Sequence, residues 1–398
     1  MPAKYKYIGA LLVIYLATTA GSFYAFKNLV GTSGPAGLTS PITTGTGETP
    51  RANTLLTIDP SEPKSEVCPI NGAYYTKIEK AVWETRRPLV VMIENHHESR
   101  PQLGLSSADV VYEAIAEGGI TRFMAVFYCG AQADSLTIGP VRSARTYFLD
   151  WASEYSKYPI YVHVGGANTP NKANALGQIE DYGWAGSNDM NQFGLSVKEC
   201  KRDDSVLKKT LNLDYVPVEH TMHCNTEALW KLAEKRKFTA TDPKGDLWTK
   251  TFTSWKFADG AAAATPQAKS VTLDFWADFT QYTVRWDYDS TTNKYTRSNG
   301  GTQHIDYNTG KPLQASVVIL QYIKETGPID EEKHMLYGTT GTGKATIFQD
   351  GKQIEAKWSK AKRLDRTVFT DLKGKEIQFS RGKIWIEELP STAEPKIE

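Results

Sequence analysis

Tyr7 to Phe26 reads YIGALLVIYLATTAGSFYAF and contains no charged residue. A helix of about 20 residues rises about 30 Å, one hydrocarbon core. This run removes the N-terminus from any soluble core. Lys4 and Lys6 precede the run; Lys27 follows, and the next basic residue is Arg51. The basic bias predicts single-pass membrane association, with the N-terminus in the cytoplasm and the globular part outside. A cleaved signal peptide is the alternative, with its core around Ile8 to Leu16 and small residues at Thr18 and Ala20; the protein is then secreted. No Cys follows the run to carry a lipid.

Residues 1–30 are therefore read as anchor or signal segment. Between Gly31 and Pro50, 16 of 20 residues are Gly, Ser, Thr or Pro. Such a stretch cannot bury enough apolar surface to offset its ordering entropy. Residues 31–78 are read as a flexible stalk. The remaining chain is long enough for two domains, and a mean hydropathy of −0.42 excludes a polytopic membrane protein. Net charge is only +1, which argues against nucleic acid as a partner.

The fold class expected is α+β. A layered N-terminal domain at 79–240 precedes a mostly β domain at 250–390. Pro88 to Ile93 suits a buried strand. Val110–Glu117 and Ile120–Tyr128 flank Gly118-Gly119, a two-residue hairpin turn. Tyr147, Phe148, Trp151 and Tyr155 recur at helical spacing between Ser143 and Tyr158. Asn225 or Thr226 caps a helix ending at Arg236. Beyond 240, short strands alternate with turns such as Asn299-Gly300-Gly301 and Asp350-Gly351.

Chemistry concentrates in the first of these domains. A regular hairpin sets Glu117 opposite Ile120, Ile115 opposite Arg122 and Glu113 opposite Met124. Glu113, Glu117 and Arg122 then share one face, as an ion ladder or a polar cleft wall. Ser143 is the expected N-cap of the aromatic helix. Arg142 and Arg145 would crowd its positive end and require an anion, from a ligand or from Glu113, Glu117 or Asp109. His163, before Gly165-Gly166, is either an acid/base or a core histidine bonded to a carbonyl. His96-His97 and His220-Thr-Met-His223-Cys224 are weak metal signals, and no metal or cofactor is expected. Gly338 to Lys344 has P-loop spacing, but Ala345 replaces the magnesium-binding Ser or Thr and the next segment reads as strand. Cys68, Cys129, Cys200 and Cys224 form no C-x-x-C unit and admit three full pairings.

The segments MIENHHESRPQLGLSSADVVYEAIAEGGITRF (92–123), IGPVRSARTYFLDWASEY (138–155) and IYVHVGG (160–166) resemble the YerB-like family of bacterial extracytoplasmic proteins. Tyr295-x-Arg297, His304-x-Asp306, Gly341-x-Gly343, Trp358, Gly374 and Gly382-x-x-Trp385 extend the resemblance through the second half. It implies two adjoining α+β domains at the outer face of the cytoplasmic membrane, many members being lipoproteins. It implies no established activity. Its motifs add Glu94, Asn95, Arg100, Gln102, Arg202, Asp203 and His220 to the site candidates.

The expected function is binding of an anionic envelope ligand or cell-wall polymer. Arg100, Arg122, Arg142, Ser143, Arg145, Arg202, Asp203 and His220 are the candidate contacts. Two alternatives stand beside it. One is an envelope enzyme using Glu113, Glu117 and His163; the other is an assembly protein whose polar motifs form internal ion networks.

Overall fold

Short apolar runs bounded by turn residues build this chain around strands. The computed structural model describes residues 53–398, apart from 242 and 243. The anchor or signal segment expected at 1–30 and the first part of the stalk expected at 31–78 lie outside the described residues. No helix among the described residues is long and apolar enough to cross a membrane.

Ten strands form the central sheet. In chain order they are β1 (Leu89–Glu94), β2 (Val110–Glu117), β3 (Ile120–Phe127), β4 (Ile160–His163), β5 (Asp189–Asn191), β6 (Val317–Ile323), β7 (Gly341–Gln349), β8 (Lys352–Lys360), β9 (Val368–Asp371) and β10 (Ile384–Pro390). Their order across the sheet is β5-β4-β1-β3-β2-β10-β6-β7-β8-β9. The sheet is mixed: β2 runs parallel to β10, and β10 parallel to β6. Leu89 to Ile93 are all fully buried, as a strand covered on both faces requires. The division drawn between 79–240 and 250–390 therefore passes through one continuous sheet. Gly338 to Lys344 enters strand β7, as its sequence suggests, and no helix follows it.

The two sheet faces carry different layers. The aromatic helix, Thr146–Ala152, packs Trp151 against Tyr112 of β2 with ring centroids 5.9 Å apart. On the opposite face, Trp286 of a second antiparallel sheet meets Trp385 of β10 at 5.3 Å. That second sheet is built around Ser270–Leu273, Val284–Asp289 and Lys294–Asn299. The architecture is α+β, with helix, mixed sheet and antiparallel sheet stacked in turn.

Two expectations are corrected here. The chain joins the folded body well before residue 78: Cys68 and Ile70 are fully buried, and a Thr76–Glu79 capping box opens the helix Lys77–Trp83. The aromatic helix begins at Thr146 with Arg145 as its N-cap, so Ser143 caps nothing. Arg145 itself has extended backbone, and its side chain pairs with Glu117. Elsewhere Asn225 caps Thr226–Lys235 by accepting from the Ala228 amide at 2.9 Å. The cysteines pair as Cys68–Cys129 and Cys200–Cys224.

Candidate functional site

The hairpin turn falls at Gly118-Gly119, but its register is not the regular one. Glu117 faces Ile120, then a bulge between Ile115 and Glu117 shifts the ladder. Ile115 faces Thr121, Ala114 faces Arg122, and Glu113 faces Phe123. One extra residue reverses the side-chain alternation. Glu113 consequently sits on the face opposite to Glu117 and Arg122. The shared face expected from sequence is corrected on this ground.

On the helix-covered face, Glu117 receives Arg122 at 2.7 Å and Arg145 at 2.6 Å. Arg122 also donates to the Ser143 carbonyl at 3.0 Å. Burial pushes the Glu117 carboxyl up, but Arg122 and Arg145, with Arg142 nearby, outweigh it and hold it at about 2. Glu117 is thus the anion that Arg145 requires at the helix start, shared with Arg122. Arg142 turns instead to Glu94 at 3.1 Å and keeps 26% of its side chain exposed. His220 bonds the other Glu94 oxygen at 2.9 Å and stacks on His96.

On the opposite face, Glu113 pairs with Arg297 and accepts from Thr121 at 2.7 Å and Asn95 at 3.0 Å. Glu387 of β10 lies directly beside it in register. Both carboxyls are fully buried. Burial, reinforced by the Glu113 charge, pushes Glu387 well above the carboxylate range despite Arg297. Its neutral form is thereby favoured. His304 accepts from Arg297 through Nδ1 and donates from Nε2 to Gln102 at 2.6 Å. Arg100 reaches from Asn95 to the Gln281 carbonyl at 2.8 Å. These bonds tie the two halves of the chain together.

The remaining candidates are placed separately. His163 is fully buried, its ring nitrogens bonded to the Gly165 carbonyl at 2.5 Å and to Asp189 at 2.6 Å. Arg202 bonds Val218 and Thr221, while Asp203 accepts from the Ser205 amide at the start of Ser205–Leu211. The sequence candidates therefore form several separate polar groups rather than one cleft.

A cleft that sequence reasoning missed opens elsewhere, where β2 and β10 bring the two halves together. Its volume is about 490 Å³, and Lys294, Lys311, Arg381 and Lys383 all line it. Lys294 and Lys311 are exposed and have no carboxylate partner among the described residues. Arg381 pairs with Asp259 at 2.7 Å. Burial pulls the Lys383 ammonium down to about 8, with Asp306 and Asp109 opposing. Asp109 is the lone carboxylate in the lining, and it accepts from the Tyr128 amide at 2.7 Å and Asn71 at 2.6 Å. Burial nevertheless pushes it up to about 7. These cations lie at scattered sequence positions; only Arg381-Gly-Lys383 offered a local hint.

Fold and motifs together define an α+β class made of two interlocked halves. The chain belongs to the family described as "Protein of unknown function (DUF3048)": the N-terminal domain of that family matches residues 75–239 and the C-terminal domain residues 271–386. A relative from Bacillus subtilis (strain 168), "Putative lipoprotein YerB", is 31% identical over 333 residues, covering 83% of this chain and 88% of that protein. The crystal structure of YerB from Bacillus subtilis is similar at TM-score 0.65 and 27% identity, over 83% of this chain and 100% of that one.

Proposed function

We propose that this is a membrane-associated extracytoplasmic protein that binds an anionic envelope ligand in the basic cleft between its halves. The observation that carries this reading is the lining itself, with four cations and one buried carboxylate around about 490 Å³. A phosphate- or carboxylate-bearing cell-wall polymer fits that charge. Location is supported by the uncharged Tyr7–Phe26 run, by two disulfides that favour an oxidising compartment, and by the lipoprotein name of the relative. The arginine cluster is a poorer candidate because Arg122 and Arg145 are buried and already bonded to Glu117; Arg142 is its most accessible cation.

Calorimetric titration with inorganic polyphosphate and with poly-γ-glutamate tests the proposal. At least one polyanion should bind, more weakly as salt rises. The double variant Lys294→Gln/Lys311→Gln should lose at least tenfold in affinity. Absence of binding to both at low salt removes the reading. Loss in Arg142→Ala, with the lysine variant unaffected, moves the site to the arginine cluster.

One observation favours a second reading, an envelope enzyme. Asp109 near 7 and Lys383 near 8 face the same cleft, poised for proton transfer at neutral pH. Glu113 and His163, by contrast, are fully buried. Release of phosphate or reducing ends from cell-wall material, abolished by Asp109→Asn, would be the signature of this reading.

A further inference from the structure

A second pocket, of about 520 Å³, lies at the edge strand β5, outside the arginine cluster and outside the basic cleft. Asp189 and Asn191 are alternate residues of β5 and project to the same side, while Met190 between them is fully buried. Both line the pocket, together with Arg236 and Phe193. Phe193 is 76% exposed.

The polar atoms are partly spent and partly free. One Asp189 oxygen is held by the buried His163 at 2.6 Å. The other has no hydrogen bond among the described residues. The Asn191 carbonyl oxygen accepts from Gly165 at 3.1 Å and Phe193 at 3.4 Å, which leaves its amide nitrogen as a donor. Arg236 makes two long bonds, to the Asp189 carbonyl at 3.4 Å and the Gly194 carbonyl at 3.5 Å. An acceptor, an amide donor and a guanidinium beside a bare ring suit vicinal hydroxyls and the apolar face of a sugar. One negative and one positive charge leave the lining balanced, unlike the basic cleft.

We propose that Asp189, Asn191, Arg236 and Phe193 form a binding site for a neutral glycan chain, with Phe193 as the stacking platform. His163 holds the carboxylate from behind and does not reach the ligand. This site is independent of the anion reading, and the two can fail separately.

The test probes the detergent-solubilised full chain against an array of neutral and N-acetylated oligosaccharides, then titrates the strongest hit. Saturable binding is expected. Phe193→Ala and Asp189→Asn should each weaken it at least tenfold, while Lys294→Gln/Lys311→Gln should leave it unchanged. Phe193 is exposed, so its replacement tests the site without threatening the fold. Binding to no neutral glycan overturns the proposal, as does full affinity in Phe193→Ala. Loss of affinity in the lysine variant instead assigns the glycan to the basic cleft and overturns it too.

Discussion

Glu117 shows how one side chain changes the meaning of a motif. Arg142 and Arg145, read as one anion site, are divided between two carboxylates: Arg145 joins Arg122 on Glu117 in an internal triad, and Arg142 pairs with Glu94. Because the folded Glu117 titrates at about 2, below its ordinary 4.5, its contribution is present above about pH 4.5 and is lost as pH falls toward 2. The loss amounts to up to about 3 kcal/mol on the relation of one unit to 1.36 kcal/mol. Urea unfolding of the wild type should therefore show a falling midpoint across that window. Glu117→Gln should flatten this part of the profile. It should also cost about 3–5 kcal/mol at pH 7, because Arg122 and Arg145 are left buried without their anion. Equal midpoints for the two proteins at pH 7 would contradict the triad.

At the scale of elements, the strands were largely legible and the register was not. Runs such as Leu89 to Ile93 and Val317 to Ile323 are apolar enough to declare buried strands, and Gly118-Gly119 declares its turn. The bulge at Ala116 leaves no comparable mark: Ile-Ala-Glu alternates as well with it as without it. Glu117 and Arg122 therefore share a face as expected, and Glu113 alone falls on the other. The cleft cations were invisible because the packing of two separate sheets, not sequence proximity, brings Lys294 and Lys383 together. The turn itself makes a sharper prediction. Gly119 has φ +84°, and a Cβ there would lie 2.8 Å from the Phe279 ring and 3.0 Å from Trp276. Gly119→Ala should destabilise the protein by about 1–3 kcal/mol, through backbone strain and overpacking together. Gly183, also at positive φ but in open space, is the control whose replacement should cost less by thermal denaturation.

Across the whole molecule, the two halves are not independent bodies joined by a linker. β2 and β10 pair in parallel through the middle of the sheet, and Glu113–Arg297 and Glu154–Lys360 cross the same boundary. Removing either half would expose a long apolar strand edge and leave charges buried without partners. Glu154 illustrates the second cost: it is fully buried, with Lys360 at 2.7 Å and Arg366 at 3.4 Å, both supplied from beyond residue 250. Residues 49–398 should accordingly unfold in one transition, with calorimetric and van't Hoff enthalpies in agreement. A fragment covering residues 79–240 should fail to give a cooperative melt and should associate through the edge of β2. Two resolved transitions in the intact chain, or a cooperative melt of the isolated fragment, would show that the shared sheet is not what couples the halves. The coupling also bears on function, because the basic cleft is lined by residues of both halves, with Asp109 just before β2 and Lys383 just before β10. Any ligand held there must stabilise both halves at once.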